Sequence, residues 1–267
     1  MQVWKLGVIC LALTLQPACA DSDPFLGTDP AQVSAAGEAG LQQWLSWRTG
    51  HQGESYNEFQ SQTEVDYGLT DRIQLALTLE YDWSRERPPA SPEVRMDFAG
   101  LAGEVIFLLL PVEKSPFGLA LAVDPAFNPA ERGIDFRLLL EKNLFGLQHV
   151  LNINLENLWE RQGPGDWAGS SGLSFNYGVG YALTPRWTLA LEFGNERGFD
   201  TLFSDLSLRQ QSNTFFLGPT LQYDCEAVVV TLGMQAQLPW ASGSGALHGY
   251  TPGAERFRLG LRLARAI

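Results

Sequence analysis

Apolar and polar side chains alternate along many stretches of this chain with a period of two residues. Between residues 72 and 83 ("RIQLALTLEYDW") the odd positions are all apolar or aromatic, and the even positions are polar or alanine. A period of two is typical of a β-strand with one apolar and one polar face. Such strands build a soluble β-sandwich when the apolar face points inward, or an outer-membrane barrel when it points into lipid.

The same alternation recurs along the chain, and no comparable stretch shows helical spacing. It predicts twelve strands, at about 38–48, 58–69, 72–83, 94–110, 117–124, 134–141, 147–156, 173–183, 186–193, 215–223, 228–238 and 256–263. Aromatic residues gather on the apolar face near both ends of these strands. One predicted girdle contains Trp47, Phe59, Trp83, Trp159 and Phe193, and the other contains Tyr67, Phe117, Tyr181, Trp187 and Tyr223.

Short and long connections alternate between the predicted strands. The short ones are "LTDR", "PVEKSP", "KNLFG", "TPR" and "DCEA", and the long ones are 49–57, 84–93, 126–133, 160–171, 195–213 and 240–254. Outer-membrane barrels have short periplasmic turns and longer outside loops, whereas a Greek-key sandwich has no reason to alternate. The sequence therefore predicts an all-β, twelve-stranded antiparallel up-and-down transmembrane β-barrel with short periplasmic turns and long extracellular loops. A secreted or periplasmic all-β domain is the alternative.

The first twenty residues are typical of a cleaved secretory signal. Lys5 precedes the short apolar core "LGVICLALTL", and Ala18-Cys19-Ala20 supplies small residues for cleavage. A lipoprotein signal acylated at Cys19 is the alternative. We expect a signal peptide at 1–20, an irregular periplasmic segment at 21–36 and the barrel at 37–267, located in the outer membrane of a Gram-negative bacterium.

Composition excludes several classes of function. The net charge of −12 argues against nucleic-acid binding, which requires a basic surface. After removal of the signal, Cys225 is the single remaining cysteine, so we predict no disulfide and no Cys/His metal site. We expect no cofactor. The expected partners are outer-membrane lipid, the barrel-assembly machinery and a small-molecule solute.

Two segments carry a resemblance to a known family. "VDYGLTDRIQLALTLEY" and "YGVGYALTPRWTLALEFG" each read as strand, turn and strand, with the turn pattern "-LT-[DP]-R-". They resemble the repeating hairpin of bacterial outer-membrane barrels of the phenol-degradation MetA-pathway kind, over most of residues 37–267. The resemblance implies an outer-membrane channel, with small organic compounds among its expected solutes, and it carries over no site residues. Ile267 differs from the terminal Phe that such barrels commonly have.

The polar face of the strands predicts a charged lumen. Its candidate site residues are Glu58, Glu64, Asp66, Glu80, Arg137, Glu156, Arg256, Arg258 and Arg262. Closure of the barrel would bring the three arginines of the last strand near Glu38, Glu58 and Glu64. These charges predict either a constriction that selects solutes or a salt-bridge network that fills a narrow barrel. Any channel should be narrow, or plugged by residues 21–36.

A hydrolytic site on the loops is a further alternative. His51 and His248 lie on the first and last long connections, near Ser55, Ser242, Ser244 and Glu54. The chain has no G-x-S-x-G motif. We therefore predict a channel or transporter for small solutes rather than an enzyme. An outer-membrane hydrolase and a structural barrel with a filled lumen are the alternatives.

Overall fold

The computed structural model describes residues 23–50, 57–86, 93–200, 210–225, 227–239, 243–244, 247–248 and 255–267; for 83–86, 93–99, 243–244 and 247–248 only the backbone is described. These residues form one antiparallel sheet. Its strands are β1 (Ala39–Thr49), β2 (Asn57–Thr70), β3 (Ile73–Glu86), β4 (Glu93–Leu110), β5 (Gly118–Phe127), β6 (Glu131–Leu144), β7 (Leu147–Gly163), β8 (Asp166–Ala182), β9 (Trp187–Phe199), β10 (Gln210–Asp224), β11 (Val229–Gln237), β12 (Gly243–Ser244), β13 (Leu247–His248) and β14 (Phe257–Ala266).

The sheet closes on itself as a barrel. Each strand from β1 to β10 pairs with the wall strand that follows it in sequence, up to β11, and β14 pairs with both β11 and β1. The short strands β12 and β13 form a small hairpin beside β10. The other twelve strands make the barrel wall, which confirms the predicted twelve-stranded antiparallel barrel. The described part of the chain contains no helix long and apolar enough to cross a membrane.

The apolar face of the strands points outward. On β3, Leu77 is 52% exposed, whereas the neighbouring Ala76 is 8% exposed and faces the lumen. A soluble sandwich would bury Leu77, so the inverted arrangement supports a lipid-facing wall. Large aromatic side chains are exposed near both ends of this wall, as the two girdles require; the side chain of Trp83 lies outside the description.

Two of the predicted long loops are tight turns. The connection between β5 and β6 spans only 128–130, and the one between β7 and β8 spans only 164–165. The prediction of strict alternation was wrong there because the strands continue beyond the apolar band. Outside lipid both faces are wetted, so the period of two disappears from the sequence while the backbone pairing continues.

We define the turn end of the barrel as the end with the connections 71–72, 111–117, 145–146, 183–186 and 225–228, and the loop end as the opposite one. Residues 23–38, the N-terminal segment, have no helix or strand. At the turn end this segment joins β1 beside Gly68, whose backbone exchanges hydrogen bonds with Gly37 and Glu38. The predicted signal peptide, residues 1–20, lies outside the described residues.

Candidate functional site in the barrel lumen

The N-terminal segment crosses the lumen and is attached to its wall by hydrogen bonds. Glu192 on β9 accepts from the backbone amides of Leu26 (2.8 Å) and Gly27 (2.7 Å) and from the hydroxyl of Thr28 (2.9 Å). Asn152 on β7 forms two hydrogen bonds with the backbone of Asp29, of 2.6 and 2.8 Å. An irregular backbone has no partners of its own, so these side chains satisfy its polar groups.

Apolar contacts fix two points of the same segment. Phe25 is fully buried and packs against Val150 and Ala190. It fits there because Gly178 has no side chain, and a Cβ at that position would lie 2.6 Å from the Phe25 ring. Further along, Ala31 and Val33 pack on a buried patch of the inner wall, formed by Ile106, Leu108, Ala120, Ala122 and Leu139. The segment is therefore a fitted plug on the β4–β10 side of the lumen.

Arg262 and Asp23 form a buried ion pair at the first described residue of the segment. Their side chains are 4% and 10% exposed, and Arg262 also donates to the backbone carbonyl of Asp23. The guanidinium lies 4.8 Å from the ring centre of Trp44 on β1. Burial raises the pKa of Asp23 to about 7, while Arg262 acts in the opposite direction. This cluster spans the lumen from β14 to the segment.

Arg137 on β6 is surrounded by carboxylates. It forms ion pairs with Asp29 of the segment, with Glu104 on β4 and with Asp124 on β5, the last at 2.6 Å between Nε and Oδ2. One cation therefore connects two wall strands to the segment. The network depends on Arg137, because its loss would leave three carboxylates close together without the cation that they share.

A second arginine cluster lies at the loop end. Arg258 on β14 donates to both carboxylate oxygens of Glu196 across the lumen, at 2.5 and 2.8 Å, and it also pairs with Glu255. Burial alone would raise the pKa of Glu255, but Arg258 and Arg48 outweigh it and lower that pKa. Glu196 is 42% exposed and Arg48 is 39% exposed, so water reaches this cluster.

The predicted site residues all lie on the wall, but the arginines of β14 have other partners than expected. Pairing with β1 places Arg48 opposite Arg258 and Trp44 opposite Arg262, so the acidic residues of β2 are one strand further away. Arg256 lies at the loop end beside Gly50. The partner assignment from closure was thus wrong for Arg258 and Arg262, whose carboxylates come from across the lumen and from the segment.

The remaining predicted carboxylates line the lumen at different heights. Glu64 accepts a hydrogen bond from Thr78 at 3.1 Å, and Glu80 accepts one from Gln62 at 2.8 Å. The buried Asp66 accepts one from Ser34 of the segment at 2.9 Å.

Two further predicted carboxylates are placed by their position on the strands. Glu156 lies on the wall beside Gly172. Glu58 pairs in register with Arg48 across β1 and β2. The nine predicted residues therefore share the lumen without forming one site.

Four cavities follow one another along the lumen. The vestibule at the loop end has about 990 Å³ and is lined by Arg48, Asn154, Glu156, Glu196 and Arg258, among others. The upper cavity, of about 210 Å³, shares Arg48 and Arg258 with it. The middle cavity, of about 340 Å³, shares Trp44 and Gln62 with the upper one. The lower cavity, of about 290 Å³, shares Gln42 and Gln74 with the middle one and reaches Glu38 at the turn end.

Sequence analysis missed the residues on which the plug depends. Asp23 and Asp29 lie in a stretch without any period, and Trp44 was assigned no role because the first strand alternates less clearly than the others. The alternative hydrolase residues, His51, Glu54, Ser55, Ser242, Ser244 and His248, lie outside the residues whose side chains are described. Within the described residues no group of three or more His, Cys, Asp or Glu is suited to a metal ion.

The chain matches one family model and several solved structures that share its fold. The model of DUF6662, a family of unknown function, matches residues 17–258. None of the curated proteins is significantly similar in sequence. The COG4313 outer-membrane channel from Pseudomonas putida F1 has 14% identity and a TM-score of 0.63, with 90% of this chain and 99% of that one covered.

Two further solved structures share the fold. The NanC porin has 12% identity and a TM-score of 0.52, with 84% of this chain and 97% of the porin covered. The β domain of the Bordetella autotransporter BrkA has 9% identity and a TM-score of 0.51, with 87% and 100% covered. At these identities the likeness shows a bacterial outer-membrane barrel fold. The expected resemblance to MetA-pathway barrels holds at this level of the fold, whereas the family model that matches is DUF6662.

Proposed function

We propose that this chain, which belongs to DUF6662, a family of unknown function, is an outer-membrane channel for small polar organic solutes. The observation that carries the proposal is a row of four cavities from the loop end to the turn end, in which each cavity shares lining residues with the next. The N-terminal segment is attached mainly to the β4–β10 side, whereas the upper, middle and lower cavities are lined largely by β14, β1, β2 and β3 together with residues of the segment. The proposed path runs past the plug through these cavities.

The lining of the path favours small polar solutes. The ring of Trp44 and six glutamines line it: Gln32, Gln42, Gln60, Gln62, Gln74 and Gln235. Amides both donate and accept hydrogen bonds, so they can replace the hydration shell of a neutral polar molecule. The ring of Trp44 offers an apolar surface within reach of the same solute. Arginines and carboxylates at both ends of the path would favour or reject charged solutes.

A structural barrel with a filled lumen is the second candidate, and the plug favours it. The segment buries Phe25 and Ala31 and has specific hydrogen bonds along its length. If the small cavities only hold water, the barrel conducts no solute. Sequence analysis predicted no enzyme, and a loop-borne hydrolase has no supporting contact among the described residues.

Conductance in planar bilayers tests the channel directly. Wild-type protein should give a small, steady conductance, and Gln62→Trp should reduce it several-fold because Gln62 lines both the upper and the middle cavity. Asn154→Trp is the matched control, since Asn154 lines the wide vestibule, where a larger side chain leaves room. A silent wild type, or equal conductance in the two variants, would contradict the proposed path.

The orientation of the barrel needs its own test. Cys225 is exposed in a connection of the turn end, and Pro164 is exposed at the tip of the β7–β8 hairpin at the loop end. A membrane-impermeant maleimide on intact cells should leave Cys225 unlabelled. The same reagent should label Pro164→Cys in a Cys225→Ser background. The reverse pattern would place the turn end outside the cell.

A further inference from the structure

An apolar groove lies on the outer surface of the barrel at the loop end. It has a volume of about 540 Å³ and is lined by Pro125, Phe127, Ile134, Trp159 and Trp167, with Arg132 and Gly133. The register explains the grouping, because Phe127 pairs with Arg132, Arg132 with Trp159, and Arg161 with Trp167 on successive strands. Phe127 is 55% exposed and Trp159 is 41% exposed, so both rings are accessible from outside the barrel.

Two arginines flank the groove and stack on the same aromatic ring. The guanidiniums of Arg132 and Arg161 lie 4.6 and 5.2 Å from the ring centre of Trp167. Within the described ranges neither has an ion pair with a carboxylate. Stacking holds a guanidinium by its face and leaves its N–H edge available, which is the edge that binds phosphate oxygens. Because both cations lie close to one ring, they concentrate positive charge on a small part of the surface.

Charge is segregated between the two faces of the wall near this groove. On β5 to β9 at the loop end, the outward positions carry Arg132, Arg161 and Arg197 and no carboxylate, whereas the carboxylates Glu131, Asp135, Glu156, Glu160 and Glu196 occupy inward positions. This is a local reversal in a chain with 30 acidic and 18 basic residues. The outward surface therefore complements an anion in the membrane interface.

We infer that this surface binds a phosphorylated, multiply acylated glycolipid, the chemical class of lipid A in the outer leaflet. The acyl chain would lie in the groove between Phe127 and Trp159. The phosphate would lie on the guanidiniums of Arg132 and Arg161, at the level where aromatic girdles mark the lipid interface. The inference uses the loop end as the outside end, and it does not depend on solute transport.

Binding of defined lipids to the detergent-solubilised barrel, followed by native mass spectrometry, tests the inference. Wild-type protein should retain added lipid A, and Arg132→Gln/Arg161→Gln should weaken this binding about tenfold or more, since each charge-assisted bond contributes substantially. Arg197→Gln is the matched control. Arg197 is also an outward arginine of the loop end, but it donates to Asn195 and stacks on Phe175, away from the groove.

Three comparisons decide the outcome, with heat-modifiable migration on gels verifying that each variant is folded. Dephosphorylated lipid A should bind as weakly to the wild type as lipid A binds to the double variant. Equal binding of phosphorylated and dephosphorylated lipid would overturn the inference, as would equal loss in Arg197→Gln. Displacement of lipid A by equimolar phosphatidylglycerol would show a general anionic-lipid surface and would also overturn it.

Discussion

Arg258 and Arg262 lie four residues apart on the same strand, yet they belong to different environments. Arg262 is 4% exposed, and its carboxylate, Asp23, is 10% exposed. Arg258 is 25% exposed, and its partner Glu196 is 42% exposed beside a vestibule of about 990 Å³. The same kind of ion pair is thus a dry attachment of the plug at one height of the lumen and a partly hydrated pair at another.

The comparison teaches that hydration decides what an ion pair does in this barrel. Where the N-terminal segment excludes water, loss of one partner leaves a buried charge, and the cost is large. Where the vestibule admits water, the freed charge is solvated and the cost is small. The turn-end half of the lumen should therefore respond to substitutions through stability, and the loop-end half through conductance.

The largest effect is expected from removal of Arg262. Arg262→Ala should destabilise the seated segment by about 3–5 kcal/mol because it removes the buried donor of both the carboxylate and the backbone carbonyl of Asp23. Arg258→Ala should cost less, because water of the vestibule can solvate Glu196 once its cation is gone. Protease added on the turn side of reconstituted vesicles should cleave residues 23–36 in the first variant and spare them in the second. If the protease spares residues 23–36 equally in both variants, the ion pairs in the turn-end and loop-end halves of the lumen do not differ in the expected way.

A second experiment compares a position of the wall that faces lipid with a neighbouring position that faces the lumen. Leu77 is exposed to lipid and Thr78 faces the lumen beside Glu64. Leu77→Arg should destabilise the inserted barrel by about 2–4 kcal/mol, whereas Thr78→Arg gains a carboxylate neighbour and should be tolerated. Urea unfolding in lipid vesicles measures both. A larger loss in Thr78→Arg would mean that the lumen is packed at this height.

The glycines of β8 provide a matched pair within one strand. Gly178→Ala would place a Cβ 2.6 Å from the Phe25 ring, whereas Gly172→Ala would meet the flexible carboxylate of Glu156 at 3.0 Å. Overpacking of a buried contact costs about 1–3 kcal/mol, so Gly178→Ala should loosen the segment and Gly172→Ala should not. Protease cleavage of the segment detects this. If Gly172→Ala loosens it equally, the contact of Phe25 with Gly178 does not hold the plug.

The smallest effect is a dependence of plug seating on pH. The pKa of Asp23 is about 7 when it is buried and 3.8 as its ordinary value, with Arg262 and Asp29 as the charges that act on it. Asp23 therefore binds a proton more readily when the segment is seated in the lumen. Seating should strengthen as the pH falls from 7 toward 4, by up to about tenfold per unit, and should be constant above 7.

Open-channel noise recorded between pH 5 and pH 8 measures this dependence, and Asp23→Asn should flatten it. Glu255 gives the contrast at the loop end, since Arg258 and Arg48 keep its pKa below the ordinary value and its pairs charged over the same range. Noise that grows on acidification would show the opposite sign and refute the assignment of Asp23.

The sequence shows which residues face the lumen, but it does not show which of them contact one another there. The positions of Glu64, Glu80, Arg137 and Arg262 on that face follow from the period of two. Their interaction partners do not follow from that period, because contacts across a lumen depend on the tilt and stagger of the strands rather than on the pairing within a hairpin. Glu196 contacts Arg258 from β9, which is separated from β14 by the two strands β10 and β11.

The sequence by itself determined the twelve strands, their order and the face that each side chain occupies, because alternation against lipid must persist in every strand that crosses it. The tertiary structure alone decided where residues 23–38 lie. That segment has no period, and its position depends on Glu192, Asn152 and Gly178, more than 120 residues away in the chain. Only the closed barrel brings those residues together, and so only the fold places the plug against one side of the lumen.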